Sequence, residues 1–200
     1  MISPSDLAEA QEYARTRFAS DATGHDYYHT QRVARLARRI AQAEGAQAEL
    51  AELAAWLHDV DDHKISPATH KTLGNARAFL SEHQVDANEQ ERVLTAIREV
   101  SFSHNVGKNP STLEAACVRD ADRLDAMGAI GVARTFAFGG AHHRAMYDPH
   151  NLEGSTIGHF YEKLLLLKDL MCTETGRRLA EERDAFLRAF LDAFLSEWEG

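Results

Sequence analysis

Apolar residues recur at three- and four-residue spacing along almost the whole 200-residue chain, and no stretch alternates apolar and polar over the length of a strand. Such a chain is limited to packing helix on helix. Ser3 and Pro4 read as an N-cap and first-turn pair ahead of Leu7, Ala10, Ala14 and Phe18, a helix ending near Ser20. Residues 21–26 are turn-like. Val33, Leu36, Ala37 and Ile40 form the apolar face of a second helix, with His29 in its first turn and Gly45 as its stop. Leu50, Leu53, Ala54 and Leu57 mark a third, which places His58 and Asp59 at a helix end. A fourth is expected over Leu73 to His83, and a fifth over Asn88 to Val100. Ser111 and Glu114 have capping-box spacing and open a sixth helix through Leu124 that carries Asp122. Gly128, Gly131, Gly139 and Gly140 then punctuate the chain, and the polar segment Ala141 to Gly154 reads as a long loop. One helix from Ser155 to about Met171 and another carrying Leu179, Phe186, Phe190, Phe194 and Trp198 complete the pattern.

The expectation is therefore an all-α, single-domain helical bundle over residues 1–200, with a core over about 20–130 and C-terminal helices over about 155–198. No apolar run approaches the roughly 20 residues of a membrane span. The first residues lack the basic and apolar segments of a signal peptide, so a cytoplasmic location is expected. A formal charge of −9 opposes binding to a nucleic acid polymer, which relies on clustered Lys and Arg. Cys117 and Cys172 read as buried reduced thiols rather than a disulfide framework. The aromatic series of the last helix has core spacing and suits packing within the chain or at a homodimer contact.

Among the 11 histidines, those beside carboxylates direct the search for chemistry. Three predicted helices each deliver metal-compatible side chains: His29 from the second, His58 with Asp59 from the third, and Asp122 from the sixth. Helical bundles build metal sites in this way. Two imidazoles and two carboxylates suit a six-coordinate Mn, Fe, Co, Ni or Mg ion better than a closed thiolate zinc site.

The segments GHDYYHTQRVARLA, LAAWLHDVDDHK and VRDADRLDAMGAIG together resemble the HD superfamily of metal-dependent phosphohydrolases, in which a His precedes an adjacent His and Asp and then a lone Asp. IGVARTFAFGG and HFYEKLLLLKDLMCTETGR are similar to one bacterial branch of it, so the resemblance covers nearly the whole chain. It implies one divalent ion, manganese first with Mg, Co, Ni, Fe and Zn as alternatives, held by His29, His58, Asp59 and Asp122. Asp120 is the rival for the last place. The same branch is similar to enzymes that split nucleoside triphosphates into monophosphate and pyrophosphate, which implies a small-molecule nucleotide substrate and metal-activated water. A nucleoside monophosphate phosphatase and a non-catalytic nucleotide or metal sensor are the alternatives.

Asp62, four positions after His58, is where some HD hydrolases carry an acid, and is the candidate to orient water or move a proton. Lys64 and Arg32 are candidates to hold phosphate oxygens. His25 and Asp26, beside the first ligand, are candidates for proton transfer or ligand support. His63, His70, His83 and His104 do not match the extra histidines of binuclear relatives. His142, His143, Tyr147 and Asp148 read as a surface loop, with a substrate cover as the other reading.

Overall fold

The computed structural model describes residues 1–19, 26–101, 105 and 107–200, and among these there are helices and turns but no strand. The protein is all-α. No helix among the described residues is long and apolar enough to cross a membrane. The chain divides into two compact units, Met1–Asp122 and Arg123–Gly200.

The first unit contains α1 (Pro4–Arg17), α2 (Tyr27–Glu44), α3 (Ala48–Leu57), α4 (Gly74–Glu82), α5 (Ala87–Val100) and most of α6 (Leu113–Asp125). The helix starts follow local chemistry. Ser3 and Asp6 form a capping box at α1, Asp26 accepts a hydrogen bond from the His29 amide at α2, and Asp86 caps α5. Gly45 ends α2 in the left-handed region at φ 75°, which a residue with a Cβ adopts only at a cost.

α3 is the central rod, packed against α1, α2 and α5. Its sequence AELAELAAWL is apolar around most of its circumference, as befits a helix enclosed by others. Leu53 and Leu57 are fully buried, each contributing about 1.5–3 kcal/mol of burial free energy.

The expected capping box of α6 is replaced by a different cap. Thr112 Oγ1 accepts from the Ala115 amide at 3.1 Å, while Glu114 accepts from Arg92 and from the Gln47 amide. Glu114 is buried, and the distant guanidinium satisfies its charge better than its own helix end does.

The second unit contains α7 (Gly128–Ala141), α8 (Gly158–Glu162), a 3₁₀ helix (Leu164–Leu170) and α9 (Glu174–Glu199), with α9 packed on α7 and on the 3₁₀ helix. The glycine-punctuated stretch, to which the sequence assigned no element, is a helix. Its glycines serve close approach: a Cβ on Gly131 would lie 2.2 Å from the Ala126 carbonyl oxygen, and one on Gly139 2.2 Å from Thr156 Oγ1.

The single helix expected from Ser155 to Met171 is instead α8 and the 3₁₀ helix, separated at Lys163. Leu164 and Leu167, three residues apart, lie on one buried face, the spacing at which side chains eclipse in a helix of 3.0 residues per turn. On α9 the buried stripe is Leu179, Ala180, Leu187 and Leu191. Phe190 and Phe194 are only half-buried within an aromatic cluster with Phe136 and Phe160, and Phe186 and Trp198 are exposed, so the aromatic series is not simply core.

A candidate metal centre

His29 stands in the first turn of α2 because Asp26 caps that helix through the His29 amide itself, at 2.7 Å. His58 follows α3 with helical dihedrals, so its ring stays in register with the buried face of the rod. Asp59 opens the turn beyond it, where the Asp62 amide donates to the Asp59 carbonyl at 2.9 Å. Asp122 lies on α6 one turn beyond Arg119.

These side chains, distant in sequence, converge. Asp59 Oδ2 is 3.4 Å from His29 Nε2 and 3.2 Å from His58 Nε2. Asp122 Oδ1 is 3.5 Å from the first of these nitrogens and 3.8 Å from the second. The two imidazole rings meet edge to face with centroids 5.4 Å apart. Both histidines are nearly enclosed, whereas the Asp122 side chain is 30% exposed and gives the cluster its opening to solvent. Asp120, the rival on the same helix, is fully buried, and two residues is about 200° around a helix from Asp122.

The tautomer of His58 tests whether a cation fits. Its Nδ1 lies 2.7 Å from the Ala55 carbonyl, which can only accept, so Nδ1 carries the hydrogen and Nε2 of the neutral ring carries a lone pair. That Nε2 is buried and makes no hydrogen bond, although Asp59 Oδ2 is within ion-pair reach. A lone pair facing two carboxylates is repelled unless a proton or a cation stands among them. Ligands about 2.1 Å from one ion are separated by about 3.0 Å at right angles and about 3.4 Å in a tetrahedron, close to the spacings here. Among the described residues, His29, His58 and Asp59 offer donor atoms that all lie within 4.8 Å of one another, the grouping expected of a metal site. The donor set fits a divalent cation.

Without a cation a proton takes that role. Burial pulls the His58 imidazolium down from its ordinary 6.5, but the adjoining charges of Asp59 and then Asp122 outweigh it, and the pKa rises to about 9.

The other candidates lie nearby in sequence but differ in setting. Asp62 is half-buried, and its Oδ1 accepts from the Lys64 amide at 2.8 Å. Lys64 is exposed, and Arg32 is half-buried on α2 one turn beyond His29. His25 and His104 lie outside the described residues. His70 Nδ1 bonds the Asp61 carbonyl, and His83 pairs with Glu9 against the Phe79 ring. In the second unit, His142 stacks on Phe138, Tyr147 packs on Phe194 and Trp198, and Asp148 holds the His150 amide.

The sequence reading passed over Asp61, which is buried and accepts from the amides of Asn75 and Ala76. Only its place between two chemically interesting carboxylates could have drawn notice.

Comparison with known proteins agrees with this geometry. The HD domain family model matches residues 26–127, a span that contains all four converging side chains. The Bacillus subtilis protein YpgQ is 37% identical over 191 residues, covering 93% of this chain and 92% of its own. The crystal structure of YpgQ in complex with ADP superposes with a TM-score of 0.82 at 33% identity, covering 96% of this chain and 97% of that one. A crystal structure from Lactobacillus plantarum gives 0.84 at 39% identity, covering 100% and 99%. An HD-superfamily hydrolase from Bacillus thuringiensis gives 0.80 at 38% identity, covering 98% of each chain. With the His, His-Asp and Asp side chains gathered in the span that the family model matches, the chain belongs to the HD-domain superfamily of hydrolases.

Proposed function

We propose that the chain is a nucleoside triphosphate pyrophosphohydrolase that uses one divalent ion, manganese first, held by His29, His58, Asp59 and Asp122. The observation that carries this reading is the convergence of those donors around a buried imidazole lone pair. The ADP complex of YpgQ supports a nucleotide as the ligand class.

Held by His29, His58, Asp59 and Asp122, a divalent ion would acidify the attacking water and would draw charge from a phosphoryl oxygen. Water attacks the α-phosphorus, the bond to the α,β-bridging oxygen breaks, and that oxygen leaves on pyrophosphate. Asp62 accepts the proton of the attacking water through the oxygen not engaged by the Lys64 amide. Arg32 holds phosphate oxygens through its planar fork and Lys64 through a mobile point charge.

The test strips the protein of metal, restores Mn, Mg, Co or Ni singly, and quantifies pyrophosphate and phosphate from a nucleotide panel beside Asp59→Ala. Pyrophosphate from triphosphates, formed only with metal and intact Asp59, is the expected result. Free phosphate from monophosphates with triphosphates untouched would replace the reading with a phosphomonoesterase. Nucleotide-dependent thermal stabilisation with no product would replace it with a sensor.

A further inference from the structure

The metal reading makes ligands of two consecutive buried residues at the end of a helix rod, where the chain has left regular hydrogen bonding. Beyond His58 only turn bonds remain, Val60 amide to Leu57 carbonyl at 3.3 Å and Asp62 amide to Asp59 carbonyl at 2.9 Å. Donors so placed would wander unless something outside α3 fixed the backbone.

That something is a buried polar knot centred on Asp61. The Val60 carbonyl accepts from Ser66 Oγ at 2.9 Å and from Asn75 Nδ2 at 3.1 Å. The Asp61 carbonyl accepts from His70 Nδ1 at 3.0 Å. The Asp61 side chain, in a residue only 2% exposed, accepts from the Asn75 amide through Oδ1 at 3.1 Å and from the Ala76 amide through Oδ2 at 2.9 Å.

Those amides belong to the first turn of α4, whose own N-cap, Leu73, sits at φ 53° and provides no side-chain bond. The helix start is therefore completed by a carboxylate borrowed from the ligand-bearing turn, where the helix dipole favours its charge. Each carboxylate oxygen has one donor, so the group is clamped in position and direction.

We propose that Asp61 is a positioning residue: by clamping the turn after α3 onto the amides of Asn75 and Ala76, it fixes the backbone from which His58 and Asp59 present their donor atoms. The inference rests on the reading that these residues hold a divalent cation, and it assigns Asp61 no contact with that cation. Asp61→Asn is the incisive variant. It preserves shape and keeps one acceptor, but it turns an NH₂ group towards the other amide, where two donors repel.

The experiment titrates cobalt(II) into metal-free wild type, Asp61→Asn and Ala78→Gly, well below their melting temperatures, by calorimetry and visible absorption. Ala78→Gly weakens α4 at an exposed position without touching the carboxylate. Asp61→Asn is expected to bind cobalt about tenfold or more weakly, the range seen for groups supporting a ligand, with a shifted absorption band. Ala78→Gly is expected to keep the wild-type affinity and band despite a lower melting temperature.

Wild-type affinity and band in Asp61→Asn, or an equal loss in Ala78→Gly, would overturn the proposal and leave Asp61 a plain helix cap. Absence of cobalt binding in wild type would instead refute the metal reading beneath it. Should Asp61→Asn fail to fold, Asp61→Ser, smaller and able to satisfy only one amide, is judged by the same readouts.

Discussion

His58 places a lone pair among carboxylates, and its two protonation states make opposite demands on pH. In metal-free protein its pKa is raised from 6.5 to about 9, so the folded state holds this proton more tightly than the unfolded chain. The stabilisation is complete below about pH 6.5 and is lost as pH rises through about 9. Metal-free protein should therefore melt at lower temperature as pH is raised across that window, as scanning calorimetry would show; a flat profile would refute the assignment. Metal binding must expel the same proton, so apparent affinity should rise with pH, about tenfold per unit below 9 for one proton released. Calorimetric titration in buffers of different ionisation enthalpy counts that proton. Asp59→Ala, which removes the oxygen shared by both imidazoles, should cost more than the roughly 10–100-fold typical of supporting groups, in both metal affinity and turnover.

Single helices carry the next set of consequences. Asp26 caps α2 through the amide of a proposed ligand, so Asp26→Ala should cost about 0.5–2 kcal/mol of stability and loosen the metal together. Denaturant melts with and without cobalt would separate the two losses; intact cobalt affinity would limit Asp26 to capping. The glycines of α7 divide by what surrounds them. Gly131→Ala would press a methyl against a backbone carbonyl that cannot yield and should destabilise by about 1–3 kcal/mol. Gly140, with nothing within 4 Å of a Cβ, should gain about 0.4–1 kcal/mol as Ala through a less disordered unfolded chain. Opposite shifts in melting temperature are expected, and equal ones would contradict the packing account.

At the scale of the whole chain, a cation bound only by the folded state must stabilise it by linkage. Divalent metal at about 100 times its Kd should add about 2.7 kcal/mol and raise the melting temperature, with no effect in Asp59→Ala. The thiols report unfolding independently of activity. Cys117 is buried on α6, and burial is the leading cause of a pKa pushed up to about 12, so it should resist alkylation in native protein and react on denaturation. Rapid native labelling at Cys117 would contradict the burial. Helix starts and stops in the first unit were legible where a cap or an apolar stripe is decided within three or four residues, as at Ser3 and Gly45. The aromatic face of α9 was less so, because spacing identifies a stripe but not how deeply its neighbours cover it.

The sequence by itself determined an all-helical chain and the chemical types in the candidate centre, since helical periodicity and the HD pattern of His29, His58, Asp59 and Asp122 are written in local order. Tertiary structure alone decided the rest. It set the 3.2–3.8 Å approach of donors from three helices, the lone pair of His58 fixed by the Ala55 carbonyl, and the loan of Asp61 to a helix that starts 13 residues later. It also diverted Glu114 from its own helix cap to Arg92 and made a helix of a glycine-rich segment. The division has one physical cause. Backbone hydrogen bonding is satisfied by near neighbours, whereas a buried carboxylate, imidazole or glycine cleft is satisfied by whatever distant group the packing brings within about 3 Å.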